Sequence, residues 1–145
     1  MKYGYITVAS AIPSVKVADA DYNIKQIESL TAQAEGKGAE IIVFPELSVT
    51  GYTCQDLFAQ QTLIEQAEMQ ILQLLDFSRK LDIICVVGAP VCIGSGLYNC
   101  AVVCQHGNIL GIVPKRYLPN YAEFYEKRWF ASVDDIVRPT EVRFA

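Results

Sequence analysis

Two charged residues at the ends of apolar segments are the first candidates for chemistry. Glu46 follows the run IIVFP, and Lys115 follows the run GIVP. Partial desolvation at a strand end makes a glutamate a better general base near neutral pH. A lysine at a second strand end can stabilise the negative charge that develops on a carbonyl oxygen. Each residue also has a simpler interpretation. Glu46 could simply face solvent at a strand end, and Lys115 could be a solvated lysine that protects a sheet edge from pairing.

A third candidate is a short segment that is rich in both aromatic and charged residues. Its members are Tyr121, Glu123, Phe124, Tyr125, Glu126, Arg128, Trp129 and Phe130. Such a segment suits the wall of a ligand pocket with polar anchors. The alternative is a loop that is packed by its own aromatic rings.

The sequence predicts alternating strands and helices, followed by further strands, and these elements must position the candidate residues. The predicted elements are a strand at 3–11, a helix from Asp19 to Lys37, a strand at 39–46, a helix at 56–80, strands at 82–91, 97–105 and 109–115, and the start of a strand at Thr140–Phe144. The Gly107–Asn108 pair predicts a tight hairpin turn between the strands at 97–105 and 109–115. This order predicts a layered α/β fold with helices packed on a largely buried sheet. Because the last predicted strand is only begun, we also expect the chain to stop within its domain.

Composition excludes several classes of protein. The chain has 145 residues, of which 52% are hydrophobic, so it can bury a core as one domain or as a large piece of one. Its net charge of −4 without a basic block argues against binding of nucleic acid or of an anionic membrane. No apolar run reaches the roughly 18 residues of a membrane span. The single histidine, His106, cannot build a multi-histidine metal site.

The five cysteines are Cys54, Cys85, Cys92, Cys100 and Cys104. Their number is odd, and none of them forms a C-x-x-C pair. The N-terminus has the alternation of a strand rather than the composition of a secretory signal. These features favour buried, reduced thiols in a cytoplasmic protein.

Two longer motifs, FPELSVTGY and VPKRYLPNYAEFYEKRWF, together resemble the nitrilase (carbon-nitrogen hydrolase) superfamily. Within it, the segments at 44–58 and 115–130 are most similar to the glutaminase domains of glutamine-dependent NAD synthetases. The resemblance implies a nitrilase-like α-β-β-α sandwich that is incomplete at its C-terminus. Residues 1–145 would then be the N-terminal part of a single carbon-nitrogen hydrolase domain, with no second domain in the chain.

The resemblance also implies roles for individual residues. Glu46 matches the general base of the family, and Lys115 matches the lysine whose ammonium stabilises the tetrahedral intermediate. Glu126 matches a second glutamate that positions the lysine and the substrate. Tyr121 matches a residue that helps to hold glutamine, and Tyr52 resembles a second wall of the same substrate pocket. The motif does not fix a role for the neighbouring Glu123.

The family's nucleophile, a cysteine that follows the lysine motif, has no counterpart here. All five cysteines precede Lys115, and Cys54, followed by Gln55 and Asp56, is only a faint echo of the nucleophile's sequence. We therefore expect the isolated chain to be inactive. By resemblance, the amidase step needs no metal or organic cofactor, whereas ATP and deamido-NAD would bind a downstream synthetase domain.

Two other functions stay open at this point. One is a free-standing amidase or N-carbamoyl hydrolase of the same superfamily. The other is a non-catalytic α/β binding module, which predicts that Glu46 and Lys115 lie far apart. The partners implied by the resemblance are glutamine or another small amide, the synthetase domain, and further copies of the chain in a homo-oligomer.

Overall fold

The computed structural model describes residues 4–136 and 141–142. The strands are β1 (Val8–Ser10), β2 (Ile41–Val43), β3 (Ile84–Ile93), β4 (Gly96–Gln105) and β5 (Asn108–Pro114), and the helices are α1 (Ala20–Gly36) and α2 (Gln61–Ser78). Shorter 3₁₀ segments span Tyr52–Ala59, Glu126–Arg128 and Val133–Asp135. The strand predicted at Thr140–Phe144 lies outside the described residues, apart from Glu141 and Val142.

The sheet is mixed, with the strand order β1-β2-β3-β4-β5. Strands β1, β2 and β3 are parallel to one another, whereas β4 is antiparallel to both β3 and β5. Successive parallel strands need crossover connections, and α1 and α2 supply them. Because β5 runs in the same direction as β2 and β3, the carboxyl ends of these three strands point to the same edge of the sheet, where β3 extends beyond the ends of β2 and β5.

Both helices cover the same face of the sheet. The stripe of α1 that the sequence predicted, including Ile24 and Ile27, is buried together with Ile71 and Leu74 of α2. Every second residue of β3 and β4 faces this core, and most of these residues are cysteines and valines. Asp19 caps α1, since its side chain accepts a hydrogen bond from the Tyr22 amide at 3.0 Å.

The opposite face of the sheet is more open, with Val43 43% and Val113 61% exposed. The described residues therefore form one helical layer on one sheet, which is half of an α-β-β-α sandwich. The predicted α/β class is confirmed.

The predicted helix at 56–80 is shorter than expected. Gln55 has φ 52° and ψ −131°, and Gln60 is extended, so the chain enters α2 only at Gln61. The preceding 3₁₀ segment instead turns Phe58 inward, where it packs against Phe130 with a ring-centroid distance of 4.9 Å. Tertiary contacts with a distant segment thus override the apolar periodicity before residue 61.

The predicted hairpin turn is also displaced by one residue. Gln105 pairs with Asn108, so His106 and Gly107 are the central residues of the turn. Both have positive φ, 50° and 77°, as a type I′ turn requires. Glycine tolerates that conformation, whereas histidine adopts it at some conformational cost.

Candidate active site

The loop after β2 carries Glu46 across the neighbouring strand. It lies directly on Gly88 of β3, where an added Cβ would be 2.3 Å from the Leu47 nitrogen. The Val49 amide donates to the Gly88 carbonyl at 3.0 Å, and the Gly88 amide donates to the Ser48 hydroxyl at 3.3 Å. Only glycine allows this close approach, which directs the loop towards β4 and β5.

Glu46 and Lys115 meet at the carboxyl edge of the sheet. Lys115 directly follows β5, and its Nζ donates to Oε2 of Glu46 at 2.8 Å. The backbone amide of Lys115 donates to the carbonyl of Asn99 on β4 at 2.8 Å. The separation that a non-catalytic module would predict is therefore not found.

Glu126 is the buried member of the cluster and is only 2% exposed. Its Oε1 accepts hydrogen bonds from Lys115 Nζ at 3.1 Å and from the Tyr52 hydroxyl at 2.6 Å. The 3₁₀ turn Glu126–Arg128 fixes its backbone, and the Glu126 amide donates to the Pro119 carbonyl at 3.1 Å. Its second oxygen, Oε2, is buried and has no hydrogen-bond partner in the described part of the chain.

One cation therefore faces two carboxylates. Burial disfavours the charged form of Lys115, but the hydrogen bonds and charges of Glu46 and Glu126 outweigh it, so the lysine's pKa is raised. Burial, followed by the bond to Glu126, raises the pKa of the Tyr52 phenol above its ordinary value. Both groups consequently keep their protons at neutral pH, and the site holds a fixed ammonium beside an accessible carboxylate.

The side chain of Asn99 also contacts the base. It is 3% exposed, and its Nδ2 lies 3.4 Å from Oε2 of Glu46, the same oxygen that Lys115 contacts. Both donors therefore approach one oxygen, which leaves Oε1 of Glu46 free of these contacts and able to accept a proton.

Asn99 and Gly88 were not among the residues predicted from the sequence. The available signals were a single amide in the apolar run LYNCAVVC and a single glycine in IICVVGAPV. Neither signal points to Glu46 until the sheet register is known, because Asn99 pairs with Pro90 two residues beyond Gly88.

Tyr52 lies within the cluster, whereas Tyr121 lies at the surface beside it. Tyr121 is 70% exposed, and its ring packs edge-on against Phe124 with a centroid distance of 5.9 Å. Its predicted role in holding a substrate stays a prediction, as do the catalytic roles of Glu46, Lys115 and Glu126.

None of the five cysteines, all of which the structure describes, contacts the cluster through a hydrogen bond. Cys54 is 2% exposed and donates to the carbonyls of Thr50 at 3.1 Å and Gly51 at 3.3 Å. Burial raises its pKa, which opposes thiolate formation. Burial likewise raises the pKa of Cys100 to about 12. Cys54, Cys85, Cys100 and Cys104 are buried as core residues, whereas Cys92 is exposed, so the prediction of a buried thiol is wrong at that position.

A helical layer on a mixed sheet, with a Glu–Lys–Glu cluster at the carboxyl edge, defines the class of nitrilase-like α/β proteins. The chain belongs to the carbon-nitrogen hydrolase family, whose sequence model matches residues 7–145.

The similar proteins with established names agree with this assignment. A glutamine-dependent NAD(+) synthetase of Mycobacterium leprae is 36% identical over 132 residues, which are 91% of this chain and 19% of that protein. A crystal structure of a glutamine-dependent NAD(+) synthetase from Cytophaga hutchinsonii superposes with a TM-score of 0.82 and 31% identity, over 88% of this chain and 22% of that one. The chain thus spans about a fifth of the length of these relatives.

An amidase from Nesterenkonia sp. shares the fold at lower sequence similarity. Its TM-score is 0.76 at 23% identity, over 91% of this chain and 49% of that one. This similarity concerns the fold alone.

The described residues, 4–136 and 141–142, contain no helix long and apolar enough to cross a membrane. They also contain no group of three or more His, Cys, Asp or Glu side chains that could hold a metal ion.

Proposed function

We propose that this chain supplies the general base and the oxyanion-stabilising cation of a glutamine amidohydrolase domain. The complete domain would release ammonia from glutamine for the amidation of deamido-NAD in an NAD synthetase. The observation that carries the proposal is the position of Lys115 Nζ, 2.8 Å from Glu46 and 3.1 Å from Glu126. The names of the relatives support glutamine as the substrate and NAD synthesis as the destination of the ammonia.

The reaction begins with the transfer of a cysteine thiol proton to Glu46. The nucleophile is a cysteine of the complete domain, because none of this chain's five thiols is placed at the cluster. The thiolate attacks the amide carbon, and the Lys115 ammonium stabilises the negative charge on the carbonyl oxygen.

Glu46 then returns the proton to the amide nitrogen, so that ammonia leaves and a glutamyl thioester remains. Water attacks the thioester after losing a proton to Glu46, and glutamate is released as the thiol is restored. Glu126 takes no proton in this scheme, since its buried Oε1 holds the ammonium of Lys115 in place.

The test is ammonia release from glutamine by the full-length polypeptide that contains this chain. We expect Glu46→Gln and Lys115→Met to lower kcat by about 100-fold or more, as for the loss of a general base or an oxyanion donor. A matched control is Lys25→Met, which removes an exposed ion pair with Asp21 on α1.

The choice of amide separates this proposal from the alternative within the same family. Parallel assays with a short aliphatic amide and an N-carbamoyl amino acid would identify a free-standing amidase or carbamoyl hydrolase. A higher kcat/KM for either of them than for glutamine would contradict the proposal. The cytoplasmic location, the homo-oligomer and the absence of a cofactor in the amidase step stay predictions.

A further inference from the structure

A second ion pair joins the segment after the Glu46 loop to the turn that holds Glu126. The carboxylate of Asp56 accepts hydrogen bonds from Arg128 Nε at 2.7 Å and Arg128 Nη2 at 3.0 Å. Its Oδ1 also accepts a hydrogen bond from the Trp129 indole at 2.9 Å. These three charge-assisted contacts fix the carboxylate in one orientation, because the guanidinium fork binds both of its oxygens.

The two partners of this pair lie next to residues of the active cluster. Asp56 belongs to the same 3₁₀ segment as Tyr52, and Arg128 belongs to the same short turn as Glu126. The segment therefore makes two hydrogen-bonded contacts to the turn, through Tyr52 and Glu126 and through Asp56 and Arg128. Because hydrogen bonds are directional, the two together restrict the orientation of the turn as well as its distance from the segment.

The backbone between these contacts is strained. Gln55, which separates Tyr52 from Asp56 in the segment, has φ 52° and ψ −131°. A side-chain-bearing residue keeps such a conformation only where the surrounding contacts enforce it. The bonds of Asp56 on one side and of Tyr52 on the other are contacts of that kind.

We propose that the contacts of Asp56 with Arg128 and Trp129, here called the brace, hold Glu126 against Lys115 and thereby position the Lys115 ammonium for catalysis. Asp56 and Arg128 are accordingly positioning residues rather than catalytic ones. The inference rests on the proposed function and extends it to a second ion pair outside the cluster.

Exposure distinguishes the brace from a structural core contact. The Asp56 and Arg128 side chains are 67% and 62% exposed, and exposed ion pairs add little to stability. Packing of Phe58 against Phe130 and Trp129, with centroid distances of 4.9 Å and 5.9 Å, holds the two segments together independently. Removal of the brace is therefore expected to leave the fold intact while loosening the turn that presents Glu126.

The first measurement is glutaminase kinetics of the full-length protein with Asp56→Ala, Arg128→Ala and the double variant. We expect kcat to fall by about 10- to 100-fold, because small displacements of a catalytic group have effects of that size. KM is expected to stay within about twofold, since the ammonium acts mainly on the charge of the transition state. The double variant should be no worse than the poorer single variant, because the two residues act as one unit.

The second measurement needs no substrate. Lysine labelled with ¹³C at Cε allows the Lys115 side chain to be titrated by NMR in the 145-residue chain. The groups that face its ammonium are Glu46 and Glu126, with Tyr52 bound to Glu126 and the Asn99 amide bound to Glu46. All four are unchanged in Asp56→Ala, so a lower titration midpoint in that variant would report that Glu126 has moved away.

A matched control is Asp76→Ala, which removes an exposed Arg–Asp pair on α2, where Arg79 Nε lies 2.9 Å from Asp76. It should alter neither kcat nor the Lys115 midpoint. An unchanged midpoint in Asp56→Ala overturns the proposal whatever the kinetics show, and so does an equal shift in Asp76→Ala. If the wild-type enzyme releases no ammonia from glutamine, the proposed function fails, while the midpoint still decides whether the brace exists.

Discussion

Lys115 lies between two carboxylates whose surroundings differ. The Glu46 side chain is 51% exposed, whereas that of Glu126 is 3% exposed. Water can reach Glu46, so it is suited to exchange protons with a substrate. Glu126 is enclosed, and its charge is balanced by the Lys115 ammonium and stabilised by the Tyr52 hydroxyl. The difference in burial therefore gives the two carboxylates different roles: Glu46 can react with a substrate, and Glu126 holds the lysine.

This arrangement predicts a stability cost for Lys115→Met. The change leaves the buried Glu126 carboxylate with only the Tyr52 hydroxyl as a donor. A buried charged acceptor that loses a donor costs about 1–3 kcal/mol, which urea unfolding of the chain would measure. A second change, Glu126→Gln, should recover part of this loss, because it removes the uncompensated charge.

The control for that prediction is Lys25→Met on α1. Lys25 pairs with Asp21 at 2.6 Å, but both side chains are 58% exposed. An exposed pair of this kind contributes below about 1 kcal/mol. Equal losses in Lys25→Met and Lys115→Met would show that the burial of Glu126 has no energetic consequence.

The environment of Tyr52 predicts that the stability of the folded chain depends on pH in the alkaline range. Burial and the hydrogen bond to Glu126 raise the pKa of its phenol in the folded chain. Between the ordinary tyrosine value of about 10 and the raised one, the folded chain keeps a proton that the unfolded chain releases. The contribution of Tyr52 to stability is therefore complete below about pH 10 and is lost as the pH rises further. Tyr52→Phe should weaken this alkaline loss, as followed by thermal unfolding at a series of pH values.

Absorbance at 295 nm gives an independent check. One phenol should ionise late in the wild-type chain and be missing from Tyr52→Phe. The matched control is Tyr117→Phe, at a tyrosine that is 82% exposed, which should keep the late phenol. A late phenol that persists in Tyr52→Phe would assign the shift to another tyrosine.

The path of the loop after β2 determines whether the cluster can form. Strands β2 and β5 are separated by β3 and β4, so their axes lie about 14 Å apart at the usual strand spacing. Glu46 and Lys115 could not reach each other across that gap if the chain continued in the direction of β2. The loop closes the gap because it crosses β3 at Gly88, in contact with its backbone.

Gly88→Ala tests this geometry. The new Cβ would lie 2.3 Å from the Leu47 nitrogen and 2.6 Å from the Pro45 carbonyl oxygen. Backbone atoms cannot move aside as a flexible side chain can, so we expect a loss of about 1–3 kcal/mol or more in the free energy of unfolding. The displaced loop should also lower the Lys115 titration midpoint, because Glu46 moves away from the ammonium.

Gly111→Ala on β5 is the matched control, since no atom lies within 4 Å of its added Cβ. It should change stability by less than about 0.5 kcal/mol. A similar effect of both substitutions would indicate a general intolerance of alanine in these strands rather than a clash with the Glu46 loop.

At the scale of the whole molecule, the site is assembled from segments distant in sequence. Lys115 and Glu46 are 69 residues apart, and Tyr52 and Glu126 are 74 apart. The sheet and its helical layer bring these segments to one edge. None of the five thiols forms a hydrogen bond with these residues, since Cys54, Cys85, Cys100 and Cys104 are buried elsewhere in the core and Cys92 is exposed on β3.

We therefore predict that the purified 145-residue chain releases no ammonia from glutamine above the level of its own Glu46→Ala variant. The full-length polypeptide should release ammonia under the same conditions, since it would add the nucleophile. Steady release by the short chain that is lost in Glu46→Ala would contradict this prediction. A test of Cys54→Ala and Cys92→Ala would then show which thiol reacts.

Most of the architecture could be predicted from the sequence. The stripe of Ile24 and Ile27, the cap at Asp19 and the apolar runs of β3 to β5 are local patterns, and the structure follows them within a few residues. The motifs around Glu46 and Lys115 likewise identified the family. Local pattern failed at Gln55 and at the turn of His106, where the conformation depends on partners or register rather than on periodicity.

The sequence by itself determined the α/β class, the family and the identity of the candidate charged groups, because these follow from residue type and local spacing. Only the tertiary structure showed that Asn99 and Lys115 contact one oxygen of Glu46, and that Glu126 is buried beneath them. It alone joined Asp56 to Arg128 across 72 residues. Such contacts depend on strand register and on where a loop crosses a neighbouring strand, and the spacing of residues along the chain determines neither of these.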